Sequence, residues 1–194
     1  MEKCDILIAG VGGQGTILTG KVLGQLAINA GLDVKMAETH GMAQRGGSVI
    51  THVRLGKKIY SPLIPLGSAD FLLSFEQLET LRWLEYLRRG GTIIYHTRTL
   101  PPLPVLCGQA DYPAAIPQQM EKIEAYAIPV TGESTPVQKN PRVLNITLLG
   151  VLSRHLPFSG EKWLKALEMT VPEKFFAMNR DAFLAGRRLA TGKP

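Results

Sequence analysis

Apolar residues in this chain come in short blocks, separated by glycine, proline and charged residues. Residues 5–9 (Asp5-Ile6-Leu7-Ile8-Ala9) are nearly all apolar and too few for a helix, so they read as a buried strand. Leu18, Val22, Leu23, Leu26 and Ala30 then recur at helical spacing, which predicts a helix over 16–30. Gly31 is placed to end it. Residues 33–37 read as a second strand, closed by Glu38. From 49 to 55 the pattern alternates, with Val49, Thr51, Val53 and Leu55 on one face and Ile50, His52 and Arg54 on the other. Gly56-Lys57 reads as a turn and 58–61 as a return, so a β-hairpin is expected, with His52 on its less buried face.

Two prolines rule out a central strand over 61–67, which reads as a crossover loop. Residues 69–75 are a further buried strand. Leu78, Leu81, Leu84 (or Trp83) and Leu87 predict an amphipathic helix over 76–89, with Arg88 and Arg89 in its last turn and Gly90-Gly91 stopping it. A strand over 92–96, a proline-rich excursion over 100–117, a short helix over 118–124 and a strand over 125–130 follow. Residues 142–156 read as a helix burying Val143, Ile146, Leu149 and Leu152, and two more helices are expected at 160–169 and 172–190. Strands alternating with helices point to a three-layer α/β/α Rossmann-like domain, with a mixed sheet because of the hairpin. The chain reads as one domain over 1–194, with a helical extension over about 142–194.

The composition narrows the chemistry. The chain has 194 residues, 22 Lys and Arg against 16 Asp and Glu, and a net charge of +6, yet no long basic run. A nucleic-acid protein more often shows a basic stripe, and the surplus fits an anionic cofactor or an acidic protein partner at least as well, so no nucleic-acid partner is expected. Its two cysteines, Cys4 and Cys107, supply too few thiolates for an ordinary iron–sulfur cluster, so no cluster and no metal site are expected on this chain. No apolar run is long enough for a membrane span, and no signal peptide is evident. A soluble cytoplasmic protein with no membrane contact is therefore expected.

The most informative stretches flank the first helix and second strand. Gly10-Val11-Gly12-Gly13-Gln14-Gly15-Thr16 joins a strand to a helix, and Gly10, Gly12 and Gly15 fit a phosphate-binding pattern. In that pattern one glycine makes the turn, one admits a phosphate and one lets helix and strand pack. The bland alternative is a tight turn that binds nothing. Glu38 falls where dinucleotide sites hold a ribose hydroxyl, or it is a solvated strand end. Residues 38–48 combine His40, Met42, Gln44 and Arg45 with Gly41, Gly46 and Gly47, directly after a strand end. Arg45 beside two glycines suits a phosphate or carboxylate. His40 is a candidate for orienting a ligand, or a turn residue. His96 and His155 read as structural. Asn145 is polar amid the apolar Leu144-Asn145-Ile146-Thr147-Leu148-Leu149 and could bond a loop or face a partner.

These stretches together resemble the gamma-type component of the 2-oxoacid:ferredoxin oxidoreductases. They are Gly10–Gly15 with its Gln14, the block 38–48, Ser61-Pro62-Leu63-Ile64-Pro65 with Ala69-Asp70 and Phe75-Glu76, and Asn145. Within that family the likeness is strongest to the small subunit of the indolepyruvate enzymes. The resemblance implies oxidative decarboxylation of a 2-oxoacid with coenzyme A to an acyl-CoA, carbon dioxide and reduced ferredoxin. It implies that thiamine diphosphate, Mg and iron–sulfur clusters sit on a large partner subunit, which also meets ferredoxin. This chain's share would be assembly and handling of coenzyme A, at Gly10, Gly12, Gly13, Gln14, Gly15, Thr16, Glu38, Gln44, Arg45, Gly46 and Gly47. His40, Met42 and Asn145 would face the partner. Alone, the chain is expected to be inactive and able to self-associate as a homodimer. Two other readings stand beside this one: a stand-alone nucleotide- or flavin-binding reductase, and a non-catalytic interaction module of the same fold.

Overall fold

The computed structural model describes residues 1–41, 46–131 and 140–189. Six strands form one sheet: β1 (Lys3–Val11), β2 (Asp33–His40), β3 (Ser48–Gly56), β4 (Ala69–Ser74), β5 (Leu87–His96) and β6 (Tyr126–Val130). Their order is β2-β3-β1-β4-β5-β6. β1, β4, β5 and β6 run parallel, while β3 lies antiparallel to both β1 and β2. The sheet is mixed, as expected, but the antiparallel partners differ from the expected pair. β3 turns back against β2, pairing His40 with Val49 and Asp33 with Gly56, and residues 58–61 form no strand. The alternation over 49–55 was satisfied by two neighbours already in the sheet, so no return strand was needed.

Both faces of the sheet are covered, which explains the apolar run in the middle of β1: Ile6, Leu7, Ile8 and Ala9 are all fully buried. Ile6 and Ile8 face one layer, built from α1 (Thr16–Asn29), α5 (Leu144–Leu152), α6 (Gly160–Thr170) and α7 (Glu173–Leu189). Leu7 and Ala9 face the other, where α2 (Gln77–Arg82) and α4 (Ile116–Glu121) pack. A four-residue helix, α3 (Leu103–Leu106), sits in the proline-rich excursion. Within residues 142–189, α5 fills the core between sheet and α7. No described helix is long and apolar enough to cross a membrane.

Three further expectations are corrected. The helix expected over 76–89 ends at Arg82, followed by a 3-10 turn at Leu84–Tyr86. Trp83 stops it by turning its indole N–H onto Glu79 Oε2 and Ser48 Oγ, both at 3.1 Å. Arg88 and Arg89 lie in β5, and each finds a carboxylate there: Asp70 at 2.8 Å and Glu124 at 2.7 Å. Gly90 keeps a positive φ where the β4–β5 register shifts, so the glycine pair makes an irregularity within a strand and not a helix stop. Residues Pro141–Val143 are 3-10, and α5 ends at Leu152. His52 is buried, and its Nδ1 accepts the Ile64 N–H at 3.2 Å, tying the crossover loop down. Arg54 holds the same loop through the Ser61 and Leu63 carbonyls while pairing with the fully buried Asp5 at 2.9 Å.

Every residue of α5 is buried, and it meets α7 through backbone. A methyl group on Gly150 would overlap the Phe183 carbonyl oxygen, and one on Gly186 the Thr147 carbonyl oxygen. Gly186→Ala should therefore force the helices apart and cost about 1–3 kcal/mol in denaturant unfolding. Gly24→Ala is the contrast. Its added carbon would meet only Met36 Sδ at 3.4 Å, and removing a helical glycine should leave stability equal or raised by about 0.5–1 kcal/mol.

His52, His96 and His155 share a pH signature. Burial, ahead of a nearby arginine in each case, holds all three below the usual histidine value. In His96, Nδ1 accepts the Arg98 N–H at 2.9 Å, so protonation there also breaks a hydrogen bond. A depressed value makes the neutral form the native one. Stability is therefore full above about pH 6.5 and falls as pH drops below it. Denaturant midpoints should decline from pH 7.5 to 5.5. His52→Asn, which keeps an acceptor for Ile64, should show a shallower decline.

Candidate functional site

β1 ends at Val11 and α1 begins at Thr16, so the glycine turn stands at the C-terminal end of the parallel strands, where α/β sheets bind ligands. The turn is closed by Gln14. Its Oε1 accepts the Val11 N–H at 2.7 Å, and its Nε2 donates to the Phe75 carbonyl, just past β4, at 3.2 Å. The Gln14 N–H donates to Val11 O at 3.1 Å, and the Gly12 N–H to Gly47 O at 2.8 Å. Three N–H groups of the turn are thus engaged by the protein itself.

The glycines have roles that differ from the expected pattern. A side chain on Gly10 would crowd Gln14 Oε1 at 3.0 Å and the Phe75 ring at 3.1 Å, so Gly10 makes room for the Gln14 clamp. Gly13 and Gly15 adopt positive φ, of 98° and 86°, which glycine tolerates without strain. A side chain on Gly15 would also lie 2.6 Å from Asn145 Nδ2, so Gly15 lets α5 approach the loop. The open donors lie further on. No side chain caps α1 and no acidic residue occupies its first turn. An α-helix leaves those first N–H groups without intrahelical partners, with a partial positive charge that suits an anion.

Clefts of opposite character adjoin the turn. One, of about 310 Å³, is lined by Gly12, Gly13, Thr16, Ile17, Glu38, His40 and Val49. Glu38, inside β2 and not at its end, accepts from Thr51 Oγ1 at 3.3 Å, and His40 is exposed. This cleft carries a carboxylate beside the helix N-terminus. The other, of about 440 Å³, is lined by Gly13, Gln14, Gly15, Leu18, Arg98, Pro141, Arg142, Leu144 and Asn145. Among the described residues it is lined by two arginines and no carboxylate. Asn145 is only 2% exposed. Its Nδ2 donates to Gly15 O at 3.3 Å, and its Oδ1 has no hydrogen-bond partner among the described residues. An orphaned buried acceptor costs about 1–3 kcal/mol, so its retention calls for a reason.

A third cleft, of about 290 Å³, lies between Gly46-Gly47-Ser48 and the segment from Leu100 to Pro104. Glu79 forms part of its wall, takes hydrogen bonds from Ser48 and Trp83, and is pushed above the usual carboxylate value by burial. Glu76, also buried, organises the surroundings. Its Oε2 accepts the Leu78 and Glu79 N–H groups, capping α2, while Oε1 accepts the Leu100 N–H and the Tyr112 hydroxyl. Burial and this carboxylate raise the Tyr112 hydroxyl's value.

The structure thus gathers Gly10, Gly12, Gly13, Gln14, Gly15 and Thr16 into one turn, with Glu38 and His40 on one cleft and Asn145 on another that shares only Gly13 with the first. Gly46 and Gly47 line the third. Met42, Gln44 and Arg45 lie outside the described residues. Arg98 and Arg142 went unnoticed in the sequence, where an arginine in an irregular segment carries no signal. Among the described residues no group of three His, Cys, Asp or Glu side chains comes together to hold a metal. Cys4 is buried, with its thiol pushed up to about 12 chiefly by burial, and Cys107 is exposed.

Comparison with known proteins agrees with the geometry. Residues 5–189 match the family described as pyruvate ferredoxin/flavodoxin oxidoreductase. The chain is 37% identical to the indolepyruvate oxidoreductase subunit IorB of Thermococcus kodakarensis, over 98% of this chain and 97% of that one. It is 38% identical to the IorB subunit of Archaeoglobus fulgidus, over 99% and 98%. Among solved structures it shares its fold with the gamma subunit of a keto/oxoacid ferredoxin oxidoreductase from Geobacter sulfurreducens, with a TM-score of 0.68 and 24% identity over 96% of this chain and 98% of that one. It also matches part of a 2-oxoglutarate:ferredoxin oxidoreductase from Magnetococcus marinus, solved with 2-oxoglutarate, coenzyme A and succinyl-CoA bound. That match has a TM-score of 0.75 and 23% identity, and covers all of this chain and 32% of the other. The chain therefore belongs to the pyruvate ferredoxin/flavodoxin oxidoreductase family, as a small, gamma-type subunit of a 2-oxoacid:ferredoxin oxidoreductase.

Proposed function

We propose that this chain joins a large partner subunit to oxidise an aryl pyruvate such as indolepyruvate, and that its own part is to hold coenzyme A. In the reaction a 2-oxoacid, coenzyme A and two oxidised ferredoxins give an acyl-CoA, carbon dioxide, two reduced ferredoxins and a proton. Thiamine diphosphate and iron–sulfur clusters, supplying the decarboxylation chemistry and the electron path, belong to the partner. The aryl pyruvate substrate is that of the similar indolepyruvate oxidoreductase subunits of Thermococcus kodakarensis and Archaeoglobus fulgidus.

The observation that carries the coenzyme A reading is the charge of the cleft beside Asn145. Coenzyme A is a polyanion. Among the described residues, Arg98 and Arg142 line this cleft without a carboxylate, beside a helix N-terminus that has neither a side-chain cap nor an acidic first turn. Guanidinium groups bind phosphate oxygens with directed, charge-assisted hydrogen bonds. The Glu38 cleft would repel a pyrophosphate. Its carboxylate beside Gly12, Gly13 and Thr16 instead supports the second reading, a nucleotide whose ribose hydroxyls meet Glu38. Positioning is the contribution expected of this chain. A thiol held in reach of the partner's reacting centre turns a bimolecular encounter into a local one.

Reconstitution tests the assembly. The isolated chain should show no oxoacid oxidation, and adding the partner without oxygen should give aryl-pyruvate-dependent, CoA-dependent ferredoxin reduction. A bound flavin or nicotinamide nucleotide in the lone chain would favour the second reading. In the assembled enzyme, Arg98→Ala with Arg142→Ala should raise the KM for coenzyme A about tenfold or more, a change of about 1.4 kcal/mol, and leave the KM for the oxoacid unchanged. An unchanged KM for coenzyme A in a normally assembled enzyme would remove these arginines from the site. Glu38→Gln should leave both constants unaltered.

A further inference from the structure

We infer that Asn145 is a specificity-determining residue of this cleft, its Oδ1 accepting a hydrogen bond from an N–H group of coenzyme A whose phosphates Arg98 and Arg142 hold. This rests on the reading of the cleft as the coenzyme A site.

The orientation of the amide follows from its neighbour. Gly15 O already accepts the Thr19 N–H at 3.1 Å and the Thr19 hydroxyl at 3.0 Å, and a carbonyl oxygen can only accept. The Asn145 atom facing it at 3.3 Å is therefore the NH₂ group, which leaves Oδ1 turned away and unpaired. Asn145 comes from α5, where every other side chain is apolar except Thr147, whose hydroxyl donates to Val143 O at 3.1 Å. Asn145 is thus the one residue of that helix with an unspent hydrogen-bonding group among the described residues.

The Gln14 amide is spent on Val11 and Phe75, and the charged side chains of the cleft among the described residues are of the opposite kind. Arg98 and Arg142 only donate, and so do the N–H groups that open α1. A bare phosphate or pyrophosphate would satisfy these donors and leave Oδ1 as it is. A ligand that satisfies the whole cleft carries anionic oxygens and an N–H donor in one molecule. Coenzyme A offers two such donors: the 6-amino group of its adenine, and the amides of its pantetheine arm. Asn145 lines the cleft with its Oδ1 screened from water, while Arg98 and Arg142, which line it too, are exposed. A buried acceptor of this kind discriminates strongly, because a bound ligand lacking the donor leaves it unpaired.

The test uses the assembled enzyme and three thiol carriers: coenzyme A, its 1,N6-etheno derivative, which lacks the 6-amino N–H, and pantetheine, which lacks adenine and phosphates. Asn145→Ala should raise the KM for coenzyme A about tenfold with kcat changed less than about twofold. If the adenine is the donor, the etheno derivative binds the wild-type enzyme about tenfold more weakly than coenzyme A, and Asn145→Ala adds no further loss. If a pantetheine amide is the donor, Asn145→Ala weakens all three carriers alike. An unchanged KM for every carrier overturns the inference. If Arg98→Ala with Arg142→Ala still raises the KM, the coenzyme A reading survives and only Asn145 loses its role. If neither change has an effect, the cleft reading falls as well. Should the alanine variant fail to assemble, Asn145→Ser replaces it, since its hydroxyl can still donate near Gly15 while the long-reaching acceptor is gone.

Discussion

The C-terminal end of this sheet is held together by the side chain of Gln14. One amide joins β1 to the residue that follows β4, through Val11 N–H on one side and Phe75 O on the other. Both are backbone groups at a strand end, where the ladder can no longer satisfy them. Leaving either unpaired would cost more than the bond itself contributes. Gln14 makes the glycine turn rigid and sets where its open N–H groups fall. It does so by engaging the early donors of the turn, so an anion is offered the later ones and the first turn of α1.

The second constraint is the depth at which α5 is buried. A helix with no solvent-facing side has to be wrapped, and α7 wraps it so closely that Gly150 and Gly186 face backbone oxygens. Close packing continues at the other end of α5, where Gly15 leaves just enough space for Asn145. The C-terminal helices thus do two things at once. They complete the core, and they carry a polar group to the edge of the glycine turn from a part of the chain more than a hundred residues away.

Charge separates the two sides of that turn. Glu38 and His40 come with the edge strand β2, while Arg98 and Arg142 come from segments that follow β5 and precede α5. The same turn consequently presents a carboxylate on one side and guanidinium groups on the other. A ligand with several phosphates distinguishes these sides by repulsion as much as by attraction. Glu76 and Glu79 shape the neighbouring rim. Both are buried and hydrogen-bonded: Glu76 holds Leu100 and Tyr112, while Glu79 takes the Ser48 and Trp83 donors.

The sequence by itself determined the layered α/β class, most strand and helix positions, and the family. Fully apolar short blocks and one helix-spaced face are local patterns, and the residues of the glycine turn, the 38–48 block and Asn145 are distinctive as strings. It also marked Asn145 as odd, since a polar residue in a wholly apolar helix stands out. The tertiary structure alone decided the rest, for one physical reason: strand pairing and charge placement join residues distant in the chain. Alternation over 49–55 showed a strand but not that β2 and β1 would flank it. Arg88 and Arg89 looked like a helix end until Asp70 and Glu124 drew them into β5. The roles of Gly10 and Gly15 depended on Gln14, Phe75 and Asn145, which no spacing rule relates to them. Arg98 and Arg142 became a pair only when the fold brought both to one cleft.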